Sequence, residues 1–161
     1  MKHRIHNHIP ARVPFLARVA PVVVLLLLAG AAPAFASERW ATLQAIHLLE
    51  NPADSARPGS LGELGAYQFR EETWKMHTSV PFSLAVDRRV SDAVAVKHYD
   101  WLKAELERRG VAATPFTIAL AWNCGFRAVV SGRPSAPAVD YATRAANLEA
   151  ELARNALADA R

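Results

Sequence analysis

The sequence predicts an all-α domain behind a secretory signal, on three observations. After residue 36 the apolar residues recur at helical spacing, and no alternating strand pattern runs longer than a few residues. Ser, Thr, Pro and Gly stand where helix starts and stops need them. Ahead of residue 37, a basic front, an apolar run and a small-residue site follow one another.

That front holds Lys2, Arg4, Arg12 and Arg18, the run is "VAPVVVLLLLAGAA", and "AFA" ends at Ala36. The run is shorter than the roughly 20 apolar residues that span a bilayer, so cleavage after Ala36 is expected rather than a retained anchor. Residues 1–36 are therefore assigned to the signal, and 37–161 to a single domain exported to the periplasm or beyond the cell. The signal carries four of the 19 Lys and Arg and none of the 15 acidic residues, which leaves the remainder balanced. The net charge of +4 thus belongs to export, and a nucleic-acid partner is not expected. Cys124 is the only cysteine, so no disulfide can form within the chain, and its apolar run predicts a small buried hydrophobe. Neither C-x-x-C nor H-E-x-x-H occurs, so neither metal nor cofactor is expected.

The elements follow in order. "SERWATLQAIHLLENP" predicts a first helix capped by Ser37 and stopped at Pro52, with Trp40, Leu43, Ile46 or His47, and Leu48 to Glu50 at helical spacing. Residues 51–65 hold two prolines and three glycines and predict a loop. "FREETWKMH" predicts a short second helix. "SLAVDRRVSDAVAVKHYDWLKAELERRG" predicts the longest one, with Val86, Val90, Ala93 or Val94, His98, Trp101 or Leu102, and Leu106 on one face and Gly110 as its stop. "TPFTIALAWNCGFRAVVSG", capped by Thr114 with Pro115 in its first turn, is apolar nearly all round and predicts a buried central helix. "AVDYATRAANLEAELARNALADA" predicts a final helix, solvated beyond about Leu152.

Glu50 is the first residue that could carry chemistry. A carboxylate at a helix C-terminus faces the negative end of the macrodipole, and Ile46, Leu48 and Leu49 surround it with apolar groups. Both effects favour the protonated form that a general acid needs, although a helix-end glutamate can equally point into water. Gln68 either caps the second helix or orients a ligand. Asn123, in an apolar helix, requires a partner from the backbone or a ligand. Trp122 and Tyr141 are read either as core aromatics or as site residues. Glu63 is either a solvated loop acid or a second site carboxylate. His47 and Glu50 are too few for a metal site, and His77 and His98 take a structural reading.

Four blocks in order carry a resemblance: Glu50, Gly65-Ala66-Tyr67-Gln68, Ala121-Trp122-Asn123-Cys124-Gly125, and Tyr141-Ala142 with Arg144. Together they resemble the lytic transglycosylases of the lysozyme-like superfamily, over about residues 40–148. That family has a helix-terminal Glu, a turn entering a Gln, an Ala-Tyr-Asn-x-Gly helix and a later Tyr. The sequence departs from it at Asn51, where a serine is usual, at Glu63, and at Trp122 in place of a tyrosine.

The resemblance implies a lysozyme-like helical domain with a substrate cleft, acting on peptidoglycan glycan strands. It implies one acid, Glu50, which protonates the bond between MurNAc and GlcNAc and then takes a proton from the sugar's 6-hydroxyl to give a 1,6-anhydro product. Gln68, Asn123, Tyr67, Trp122, Tyr141 and Glu63 are the implied substrate contacts. A monomer in loose association with the cell envelope is expected. Two other readings stay open: a hydrolytic lysozyme in which Glu63 or Asp54 activates water, and a lysozyme-like domain that only binds peptidoglycan.

Overall fold

The first described helix, α1 over residues 38–50, buries Leu43, Ala45 and Ile46 and leaves Trp40 and Leu48 on the outer face. The computed structural model describes residues 38–159, so the expected signal segment lies outside the described residues. The described residues fall within one unit of the chain, 36–161. Among them, no helix is long and apolar enough to cross a membrane.

The chain leaves α1 at Asn51, whose N–H still closes on His47 O at 2.9 Å before Pro52 ends the helix. The loop that follows is held by side chains rather than by regular structure. Asn51 is buried; its amide donates to Ser55 O (2.9 Å) and Gly65 O (3.1 Å), and its oxygen accepts from Ser55 N (2.9 Å). One residue therefore ties the loop's entrance to its exit. The exit is a tight turn, closed by a two-bond bridge between Leu64 and Phe69 at 3.0 Å each. Gly65 has φ +78, and a Cβ there would meet Ala85 O at 1.8 Å, so only glycine fits. This bridge is the only extended pairing among the described residues, which are otherwise helical.

Helix α2 (Glu71–His77) buries Trp74, whose indole donates to Val80 O at 2.7 Å. The long helix expected from Ser83 onward divides in two. Phe82–Val86 is a 3₁₀ turn, and α3 (Arg88–Arg108) starts only after Asp87, which accepts from Val90 N at 3.1 Å as N-cap. Val86, expected on the buried face, is consequently exposed. From there the expected face holds, with Val94, His98, Leu102 and Leu106 buried. Gly110 at φ +72 ends α3; its N–H bonds Glu107 O and that of Val111 bonds Leu106 O, the paired bonds of a Schellman stop.

Thr114 and Thr117 form a reciprocal capping box ahead of α4 (Pro115–Cys124), and Pro115 occupies the first turn. The expected single helix breaks at Gly125 (φ +84), and α5 (Phe126–Val130) continues separately. Nor is α4 buried all round. Ile118, Ala119, Leu120 and Ala121 are covered, whereas Asn123 is exposed and Cys124 half-buried. Cys124 is thus not the core hydrophobe expected; its thiol donates to Leu120 O at 3.1 Å, and burial pushes its pKa up. Helix α4 packs chiefly on α6 (Ala136–Asp159), whose buried residues are Ala138, Ala142 and Ala145. Small side chains on that face let the two backbones approach closely. Beyond Leu152, α6 is mostly solvated, with Leu157 67% exposed.

Candidate active site

Six segments converge on a cleft of about 350 Å³. The end of α1 brings Glu50; the clasped loop brings Gly59, Ser60 and Glu63; the bridged turn and α2 bring Gln68, Phe69, Arg70 and Thr73. Helices α3 and α4 supply His98, Trp122 and Asn123. The bridged turn sorts its side chains. Tyr67 and Phe69 are buried in the core, Phe69 also touching the cleft, and Gln68 between them, at φ +44, faces the cleft.

Glu50 is half-buried, and its Oε1 accepts a hydrogen bond from the Tyr141 hydroxyl at 2.7 Å. Burial is the largest influence and raises its pKa above the ordinary carboxyl range. The Tyr141 hydrogen bond pulls the other way, and the charge of Glu63 raises it further. The acid is thus biased toward its protonated form and has a fixed donor to receive the charge once the proton leaves. Burial and the neighbouring Glu50 push the Tyr141 pKa upward, so the hydroxyl remains a donor.

Glu63 is not a solvated loop acid. Its side chain is 19% exposed, its Oε2 accepts from Leu61 N at 2.9 Å, and its Oε1 stands 3.9 Å from Arg70 Nε. Gly59 lies against it: a Cβ on Gly59 would meet Glu63 Oε2 at 2.5 Å and Gln68 Oε1 at 2.8 Å. Gln68 does not cap α2, which has no side-chain cap. Instead its Nε2 donates to Gly65 O at 3.0 Å, and its backbone adopts φ +44, an uncommon conformation for a residue other than glycine.

Tyr67 departs from the expected role. Its ring has no exposed surface, so it offers no face to a sugar. It packs against Phe69 and Trp122 with centroids 6.1 and 5.9 Å away, and its hydroxyl donates to Asp92 at 2.7 Å. Trp122 is half-buried on the cleft wall, with its indole N–H 3.4 Å from Tyr67 O. Asn123 also departs from expectation: it is exposed at the cleft edge, where water satisfies it, rather than buried and in need of a partner.

His47 and Asp54 form a separate polar knot behind the loop. His47 Nε2 lies 2.9 Å from Asp54 Oδ1, and Arg88 reaches both His47 and Asp92. Asp54 therefore sits outside the cleft lining. Among the described residues no three His, Cys, Asp or Glu cluster to hold a metal ion. Sequence reasoning passed over Arg70, Thr73 and His98. The first two follow directly after the Gln68 block, a position that a motif-based search would include. His98 sits on the apolar face of α3, and nothing local marks it as cleft-facing.

Compared with known proteins, the chain matches no protein-family model, no curated protein and no solved structure.

Proposed function

We propose that this chain is an exported, lysozyme-like peptidoglycan lytic transglycosylase that cleaves the MurNAc-β-1,4-GlcNAc bond with Glu50 as its single acid and base. The observation that carries the reading is the pairing of Glu50 with Tyr141 at the rim of a polar cleft: a carboxyl whose pKa burial raises, with a hydroxyl 2.7 Å away to stabilise its anion. Glu50 delivers its proton to the glycosidic oxygen as the bond to C1 breaks. The MurNAc N-acetyl group stabilises the developing cation, as in the substrate-assisted exceptions to two-carboxylate catalysis. The Glu50 carboxylate then takes the proton of the sugar's 6-hydroxyl, whose oxygen bonds C1 to close the anhydro ring. No water is consumed. Gln68 and Asn123 supply amide donors and acceptors for the acetamido sugar, and Trp122 offers a ring face.

A second reading, a hydrolytic muramidase, is favoured by one observation: Glu63 is a second carboxylate in the cleft. Its bonds to Leu61 N and its proximity to Arg70 argue for a loop-shaping role instead. Mass spectrometry of products from purified sacculi separates the two. Anhydro-MurNAc ends are expected; reducing ends carrying oxygen from labelled water would make the enzyme a hydrolase.

Glu50→Gln is expected to abolish product while leaving the fold intact. Folding raises the Glu50 pKa above its ordinary value of 4.5, so its contribution to stability is full below that pH. That contribution is lost as pH rises through the folded-state pKa. Removing the charge should therefore leave the variant melting at or above the wild type at pH 7. A variant that keeps full activity on sacculi would refute the assignment of the acid.

A further inference from the structure

The reaction above leaves the imidazole of the cleft wall without a task. His98, on α3, is 7% exposed, and its Nδ1 lies 2.9 Å from His77 Nε2. Its ring stacks on Trp101 (5.7 Å, 12°) and meets Trp122 edge-on at 4.7 Å. Two indoles and a second imidazole thus fix both the plane and the rotation of the ring.

Nε2 has no hydrogen-bond partner among the described residues, and it is not a sealed orphan: among those residues only Ser91 Oγ is both buried and unpartnered. It therefore reaches solvent, and the cleft is the space this residue lines. Burial, and then the neighbouring His77, push the His98 pKa down to about 3, so the ring is uncharged at neutral pH. Burial and then the Lys97 charge also lower that of His77. A neutral imidazole carries one donor and one acceptor; His77 takes one, and Nε2 presents the other. A fixed, uncharged, single hydrogen-bonding atom beside a tryptophan face suits a hydroxyl or acetamide of a neutral sugar. It offers nothing to a carboxylate that Arg70, which also lines the cleft, would not offer better.

We infer that His98 Nε2 is a direct hydrogen-bonding contact for a neutral acetamido sugar lying against Trp122, with His77 as the residue that holds it in register. This rests on the glycan-cleaving reading and adds a contact to it.

The test uses the full chain carrying Glu50→Gln, which does not turn substrate over, and the tetrasaccharide of β-1,4-linked GlcNAc as probe. Imidazole ¹⁵N spectra are expected to show the His98 Nε2 signal moving on titration. Adding His98→Phe, which keeps the ring between the two indoles, should weaken binding by about tenfold, the worth of one hydrogen bond. His98→Gln, whose terminal amide reaches the Nε2 position, should restore most of the affinity; His98→Asn, which reaches only the Nδ1 position, should not. If the probe binds Glu50→Gln but His98→Phe changes its affinity less than twofold, the contact is refuted and the glycan reading stands. If Glu50→Gln binds neither the probe nor sacculi, the glycan reading fails and takes the contact with it. Should His98→Phe fail to fold, the ¹⁵N titration alone decides, and an unmoved Nε2 signal overturns the inference.

Discussion

Replacing Asn51 with aspartate changes one NH₂ group to an oxygen and should cost far more stability than its size suggests. The amide's two donations go to Ser55 O and Gly65 O, and its oxygen accepts from Ser55 N. Asn51→Asp keeps the acceptance and loses both donations. Gly65 O retains the bond from Gln68 Nε2, so Ser55 O bears most of the loss. Two lost neutral hydrogen bonds amount to about 2 kcal/mol. A carboxylate oxygen facing two carbonyls in a buried site raises the expected cost to about 3–4 kcal/mol. For a domain of this size that lowers Tm by about 10–15 °C. Asn51→Ala loses the same donors without adding charge and should fall between the two. Urea unfolding followed by circular dichroism gives the order: wild type, then alanine, then aspartate at pH 7. Below about pH 4 the aspartate variant regains a proton and a donor, so its gap to alanine should close. An aspartate variant within about 1 kcal/mol of wild type at pH 7 would mean that the amide faces the other way and that Asn51 does not clasp the loop.

Gly65→Ala forces a side chain into a left-handed backbone against Ala85 O, and should destabilise by about 3 kcal/mol or more by the same unfolding measurement. A loss below about 1 kcal/mol would mean that the turn and the 3₁₀ segment are not in contact. Tyr141→Phe removes the one influence that lowers the Glu50 pKa, so the limb of the pH–rate profile where the acid loses its proton should move to higher pH. The rate plateau should fall by about 10- to 100-fold, as the product carboxylate loses a charged hydrogen bond. A limb moving to lower pH would refute the hydroxyl as donor to Glu50.

What the sequence disclosed and what it hid divide along a physical line. Features set by neighbouring residues were legible: the Thr114–Pro115 start, the Gly110 stop, the loop over 51–65 and the outward end of α6 all follow from caps, breakers and local polarity. The Asp87 cap was legible in principle but was overridden by the apolar periodicity of "SLAV", which a 3₁₀ turn satisfies equally well. Trp122 and Asn123 sit on one apolar stretch, and no periodicity says that Gly125 will end the helix and turn its last turn to a cleft. Tyr67 was misplaced because side-chain directions in this turn are set by its closure between Leu64 and Phe69 and by the left-handed backbone at Gln68, not by composition. His98 was hidden for the same kind of reason: a histidine on a buried face becomes a cleft residue only through what packs against it.

The bond between Tyr141 and Glu50 spans 91 positions of chain. On a ribosome, α1 emerges well before α6, so every nascent length short of α6 carries the carboxyl without its donor. The site's proton chemistry is consequently completed only once α6 has been made. For the proposed glycan-cleaving enzyme, that order of assembly sets when cutting can begin.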